Sequence, residues 1–473
     1  MMRAARSARH ASTVRGVTPA GPEASPFRID FHNVSPGEPL ARMPFGVADE
    51  LSCYYDAPAE PCTVHMEVRV PGRVDEPRLR LAIGAALAAQ PRAMVRRAPA
   101  GWWRRGYSWE VPRRPDTDPL TVAAWSDEGE LDTRRARFLS VTPPLDCSPP
   151  LRILLAAGPG EDRVILSAHH AALDGLSCLE LLRSISRHYC GAGAEAPAQS
   201  PPPVTSPGRG GAPAARGGGL GLLPKPAARI AADHQDGPAR DDRSGYGFVL
   251  VPGQHVMAIR QAARESRVTV NDLLITALIV AISRWNASHG RAAGRIRITM
   301  PVNSREHDQA SATGNLSRLT TVTARALADG DDPGALVADV AGQTRSAKDH
   351  PGPQVDPICR ALAAAWCPPA VKRRLLRLAL RTAGPLLCDT SLVSNLGIVA
   401  DPPRFGDVAA TDMWFSTSAH MPRGLSVGAV TISGKLHLCF RYRRALFSEP
   451  AAVRFADAYT AALNDITNPG RQP

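Results

Sequence analysis

Apolar and polar residues alternate along positions 63–70 (TVHMEVRV), the period of two that a half-buried strand imposes, and Pro71-Gly72 ends the run. Beyond it the spacing changes to threes and fours. Asp75 is placed to cap a helix that reaches about position 89 on Leu79, Leu81, Ile83, Ala86 and Leu87, and Gln90-Pro91 stops it. A strand at 151–156, a turn over 158–162 and a second apolar run at Val164, Ile165 and Leu166 follow. The next helix buries Leu179, Leu182, Ile185 and Tyr189, and Ser177-x-x-Glu180 carries the signature of its capped start. In the second half the pattern predicts a strand at 247–251, a helix at 256–265 and a Thr269-capped helix at 271–286. That last helix is apolar on nearly every side, which makes it central to its lobe. Strands at 295–302 and into Val322, a pair over 425–442 turning at Ser433-Gly434, and a helix from Ser448 through Asp465 complete the pattern.

Composition divides this chain. Residues 191–244 hold PPP, GRGG and ARGGGLGLLP and are too poor in periodic apolar positions to pack, so they read as a Pro/Gly-rich linker. Residues 1–26 carry Arg3, Arg6, Arg9 and Arg15 without the apolar core of a secretory signal and read as a disordered basic tail. An N-terminal lobe at 27–190 and a C-terminal lobe at 245–468 remain, and 473 residues suffice for two hydrophobic cores. The longest apolar run, 273–282, is too short to span a bilayer. Nine scattered cysteines with no C-x-x-C pair suggest the reduced thiols of a cytoplasmic protein.

The formal charge of +12 raises the question of nucleic acid, but the arginines are dispersed and no nucleic-acid fold motif accompanies them, so that class is set aside. Two local concentrations stand out. Trp102, Trp103, Arg104, Arg105, Tyr107 and Trp109 form one, and Lys372, Arg373, Arg374, Arg377 and Arg381 line a helix with Leu375, Leu376, Leu378 and Leu380. The helix reads as a solvated basic face, with docking of an acidic partner as the functional alternative.

The candidate chemistry lies in the stretch 164–189, where His169-His170 follow a buried strand and Asp174-Gly175 precede a helix. A histidine there is placed to take a proton beside the positive end of the helix. A packed histidine pair with a capping aspartate is the plainer alternative. Metal binding by His170 and Asp174 at i and i+4 lacks any further His or Cys cluster, so no metal is expected.

The order His169-His170-x-x-x-Asp174-Gly175 resembles the core motif of the condensation-domain and chloramphenicol-acetyltransferase-like acyltransferase superfamily. Gln90-Pro91-Arg92-Ala93-Met94-Val95-Arg96 is similar to the superfamily's His-Pro-x-x-Arg-x-Arg segment, with Met94 at the first arginine and Arg96 at the second. Residues 301–305 (PVNSR), 314–317 (GNLS) and 394–397 (SNLG) resemble its second-lobe signatures, whereas the Asp-Phe-Gly-Trp-Gly of the plant branch is absent. The resemblance implies a two-lobed α/β fold with the active-site channel between lobes and a stand-alone condensation-type protein acting as a monomer. It implies His170 as general base, His169 as structural, and Asp174 paired with an arginine, either Arg305 or Arg96, that props the turn. Gly175 would offer its N–H to the oxyanion, and Ser394 or Asn395 would face the channel.

The implied donor is a phosphopantetheine thioester on an acyl or peptidyl carrier protein or on coenzyme A, with no bound cofactor. The acceptor would be a small amine or alcohol, in nonribosomal-peptide or polyketide-type biosynthesis. Two alternatives stay open: a coenzyme-A-dependent O-acyltransferase of the wax-ester type, and a non-catalytic condensation-like recruitment module. A serine hydrolase would need the G-x-S-x-G that the chain lacks.

Overall fold

The computed structural model describes residues 39–101, 103–191, 226–233, 243–305, 313–328, 331–349 and 366–468. Trp102, the tail 1–26 and most of 191–244 lie outside them. In chain order the first half forms β1 (Ala41–Pro44), α1 (Val47–Tyr55), β2 (Thr63–Val70), α2 (Glu76–Ala89), β3 (Arg96–Arg97), β4 (Ser108–Val111), β5 (Leu120–Ala124), α3 (Glu128–Leu139), β6 (Leu151–Ala157), β7 (Asp162–His169) and α4 (Gly175–Tyr189). The second half forms β8 (Ser244–Val251), α5 (Gly253–Glu265), α6 (Val270–Ser288), β9 (Arg295–Asn303), β10 (Ser317–Arg325), α7 (Pro333–Asp349), α8 (Pro369–Leu387), β11 (Ser391–Val399), β12 (Arg404–Phe405), β13 (Val408–Ala409), β14 (Asp412–Ser416), β15 (Leu425–Ile432), β16 (Lys435–Arg443) and α9 (Glu449–Thr467).

Two sheets carry the two lobes expected of this α/β chain. The first, in the order β14-β2-β7-β6-β5, buries Val64, Met66, Leu166 and Ile153 with Leu79, Leu87, Leu179 and Leu182 of α2 and α4. The second, β10-β9-β11-β15-β16-β8, packs on α6 and α9 through residues such as Leu274, Leu278, Phe455 and Tyr459. Helix α6 is buried on most of its surface, and Thr269 and Asp272 close a reciprocal capping box at its start. No single helix among the described residues is long and apolar enough to cross a membrane. Ser433 and Gly434 both adopt positive φ between β15 and β16, the tight two-residue turn that a twisted hairpin favours.

Several expectations need correction. Leu81 is exposed, because the buried stripe of α2 is Leu79, Ala82, Ile83, Ala86 and Leu87. Asp174, not Ser177, caps α4 by accepting the Ser177 N–H, which frees the serine hydroxyl to point inward. The stretch read as linker packs in part: Ile230 and Ala231 enter the second core, and Trp285 and Asn286 bind the backbone of residues 229–231.

The basic helix α8 is not wholly solvated. Lys372 is fully buried against α1, donating to Glu50 Oε1 (3.1 Å) and the Arg105 carbonyl (3.0 Å). Trp109 of the aromatic segment is a core residue stacked on Phe45. Strand β14 leaves the second half to become the edge of the first sheet, antiparallel to β2. It passes so close to β15 that a Cβ at Gly428 would lie 1.9 Å from the Phe415 carbonyl oxygen.

Candidate active site

Strand β7 delivers both histidines to the mouth of the turn. The His169 N–H donates to the Pro150 carbonyl (2.9 Å) and the His170 N–H to the Cys62 carbonyl (2.8 Å), so neighbouring strands hold the chain on both sides. The His169 ring is buried, and its Nδ1 accepts the Ala171 N–H at 3.1 Å. That accepted bond and burial suit a neutral ring, and burial pushes its pKa down to about 4.

His170 is only half-buried. Its Nδ1 is shut away from solvent and is not bonded to another residue among the described residues, so a proton exchanged with an incoming molecule passes through Nε2. Burial holds its pKa below 6.5, opposed by its own backbone carbonyl and by the carboxylates of Asp174 and Asp49. The ring is therefore unprotonated at neutral pH, the state a base requires.

Asp174 is buried and saturated. Its carboxylate accepts from Arg305 twice (2.8 and 3.1 Å), from the Ser177 N–H (2.9 Å), from the Leu316 N–H (3.0 Å) and from Ser317 Oγ (3.0 Å). Burial alone would raise its pKa, but Arg305 and the Ser177 bonds overcome that and hold it below 3.8. With five donors on two oxygens, Asp174 has no lone pair left to spare for a metal or a substrate. Ser177 ties the same pieces together: its hydroxyl donates to the Gly314 carbonyl (2.7 Å) and accepts from the Gly314 N–H (2.8 Å) and Arg305 (2.7 Å). Behind this loop Arg92 binds Asp49 (2.7 Å), which also accepts the Trp109 indole N–H (2.9 Å).

Gly175 opens α4, so its N–H has no acceptor within the helix and faces outward from the positive end. A Cβ there would come within 3.0 Å of Leu396 and Phe415, so a larger residue would push on both.

Two uncharacterized proteins of Mycobacterium tuberculosis, Rv2305 of strain ATCC 25618 / H37Rv and MT2362 of strain CDC 1551 / Oshkosh, are each 32% identical to this chain over 435 residues, covering 85% of it and 94% of their own length. This chain belongs to their family. No protein-family model matches it. Among solved structures, the condensation domain of the Monacolin K polyketide synthase MokA aligns at TM-score 0.63 and 14% identity, over 91% of this chain and 98% of that one. The first condensation domain of the CDA synthetase (TM-score 0.62) and the epimerization domain from the third module of tyrocidine synthetase B (TM-score 0.60) each align at 14% identity over 91% of this chain and 97% of theirs. The fold is the condensation-domain fold, two-lobed and chloramphenicol-acetyltransferase-like.

Within that fold the residues singled out from the sequence divide. His169, His170, Asp174, Gly175 and Arg305 meet at one turn. Arg96 does not join them: it binds Glu110 (3.3 Å) and Asp116 (2.8 Å), because β3 pairs it with β4 on a separate small sheet. Ser394 is buried in β11 opposite Gly428, and Asn395 Oδ1 accepts the Gly397 N–H (2.9 Å). An irregularity in the β11–β15 pairing just beyond them accompanies the approach of Leu396, not of either polar side chain, to Gly175.

Asp49 and the Cys62 carbonyl carry no local signal in the sequence. Ser177 stands out there only within Ser-x-x-Glu, which pointed to a cap, and Ser317 only within the 314–317 signature; neither pattern shows the bonds they make to Arg305 and Asp174.

Proposed function

We propose that the protein is an acyltransferase that joins an acyl thioester to an amine or hydroxyl acceptor, with His170 as general base. The observation that carries this reading is the His170 ring itself: unprotonated at neutral pH, closed at Nδ1, and following a strand into a turn that the buried Asp174–Arg305 pair fixes. The acceptor O–H or N–H gives its proton to His170 Nε2 as the new C–O or C–N bond forms at the thioester carbonyl. Negative charge collects on the carbonyl oxygen, which the Gly175 N–H stabilises. Collapse then breaks the C–S bond, and the thiolate leaves with the proton returned by His170. Asp174 and Arg305 touch no substrate in this scheme and act as positioning residues.

The donor is a phosphopantetheine thioester, on a carrier protein or on coenzyme A, and the pathway is of the nonribosomal-peptide or polyketide type. Esterification from coenzyme A, as in wax-ester synthesis, is the narrower variant.

Mass spectrometry of products from a panel of carrier-bound and coenzyme-A thioesters against amines and alcohols tests the proposal. Wild type should transfer the acyl group, and His170→Ala should slow ester formation by about 10²–10⁴-fold while slowing amide formation less, since a free amine is already nucleophilic. Carrier binding without turnover in either form would instead identify a recruitment module. Inversion of an aminoacyl thioester without transfer would make it an epimerase.

A further inference from the structure

Helix α8 presents an apolar stripe to solvent. Val371, Leu375 and Leu378 recur at spacings of four and three on one side of the helix and are 45%, 41% and 58% exposed. With Trp366 just before the helix and Leu387 at its end, this short stretch holds five of the seventeen exposed large hydrophobic residues among the described residues. Scattered surface leucines need no explanation, but such a concentration does. Arg374, Arg377 and Arg381 flank the stripe on one side and are exposed, and no ion pair engages them among the described residues. Residues 366–387 contain no Asp or Glu. The inward side is settled by contrast: Lys372 binds Glu50, Arg373 binds the Asp56 carbonyl, and Leu376 packs on Leu51 and Tyr54. The outer face is thus apolar at its centre and cationic along one edge.

We propose that α8 lies flat in the interface of an anionic lipid bilayer, with Val371, Leu375 and Leu378 at the acyl boundary and the three arginines on lipid phosphates. Such an interface accepts both halves of this face at once, desolvating the aliphatic side chains while leaving the guanidinium groups among headgroups. The helix lies on the surface and does not span it, because its buried side is already committed to α1. An acidic protein would match the arginines, but it would also have to supply a hydrophobic groove for the stripe.

Co-sedimentation of the full chain with vesicles tests this without any activity measurement. Wild type should pellet with vesicles of phosphatidylcholine mixed equally with phosphatidylglycerol, stay soluble with phosphatidylcholine alone, and be released by high salt. Joint Leu375→Asp and Leu378→Asp should weaken binding by at least about tenfold, and joint Arg374→Gln, Arg377→Gln and Arg381→Gln by about a hundredfold on the anionic vesicles. Leu81→Asp, on the exposed side of α2, controls for a general loss of surface hydrophobicity and should bind as wild type does. The proposal fails if wild type ignores the mixed vesicles or if Leu81→Asp weakens binding as much as the α8 changes. It also fails if the chain binds a purified acyl carrier protein through these arginines while leaving vesicles alone.

Discussion

Two buried carboxylates tie the halves of the chain together, and they do so differently. Asp174 belongs to the turn itself: it caps α4 and draws Arg305 and the 314–317 loop of the second half onto the segment that carries His170 and Gly175. Glu60 sits just before β2, where it accepts from Arg443 (2.7 Å), Ser244 Oγ (2.8 Å), the Ala419 N–H (2.9 Å) and, at 3.3 Å, Arg441. Arg441 in turn donates to the Pro61 and Thr63 carbonyls, bracketing the Cys62 carbonyl that receives the His170 N–H. One latch therefore fixes the reacting turn directly. The other fixes the strand on which the turn rests. Equal burial and similar ion pairing do not give equal functional weight; what matters is how many rotatable bonds separate the latch from the ring.

Asp174→Asn should do the most damage. It removes the carboxylate charge from the buried Asp174–Arg305 pair, at a cost of about 3–5 kcal/mol in urea unfolding, and a turn displaced by even 1 Å should lower turnover of the folded fraction by about 10²-fold. Glu60→Gln should cost a similar about 3–5 kcal/mol because Arg441 and Arg443 lose their carboxylate, yet turnover per folded molecule should fall less than about tenfold. Equal losses of turnover in the two variants would erase the distinction between the latches. Ser177→Ala removes one hydroxyl that bridges Gly314 and Arg305 and should cost about 1–3 kcal/mol, with turnover falling in the same direction as in Asp174→Asn but by less.

Acid separates the latches more gently. Burial opposes ionisation of Glu60, but Arg441 and Arg443 prevail and hold its pKa at about 2, below the ordinary 4.5. The stability it contributes is complete above pH 4.5 and drains away as the pH falls toward 2. His169 and His420, pushed down to about 4 by burial, act in a higher window. The unfolded chain takes up their protons below pH 6.5 and the folded chain does not. Stability should therefore decline by about 1.4 kcal/mol per pH unit for each histidine between pH 6.5 and 4, measured as Tm against pH. Glu60→Gln should flatten only the lower window.

Much of the fold was legible along the chain because strands and helices repeat their apolar positions at fixed short periods. Thr63–Val70, α2, α6, the β15–β16 hairpin and the Ser448-capped helix all follow from neighbours within a few residues. Helix α3 was overlooked although Asp127 accepts the Glu130 N–H at its start, a capping pattern visible in the sequence. The His-His-x-x-x-Asp-Gly order likewise located the turn. Local pattern is silent about partners distant in sequence. It could not choose between Arg305 and Arg96, because only the arrangement of β9 against α4 brings one guanidinium to Asp174 and only the β3–β4 pairing carries the other away. Nor could it see that Lys372 would be the buried member of a basic helix while Arg374, Arg377 and Arg381 stayed outside. Strand β14 is short, and its place at the edge of the first sheet depends on β2 offering an open edge and on Gly428 letting the backbone pass. Sequence alone thus determined the elements and the site of the turn, through interactions that span a few residues. The tertiary structure decided which charges meet and which half completes which sheet, because those choices depend on chain segments hundreds of residues apart being packed together.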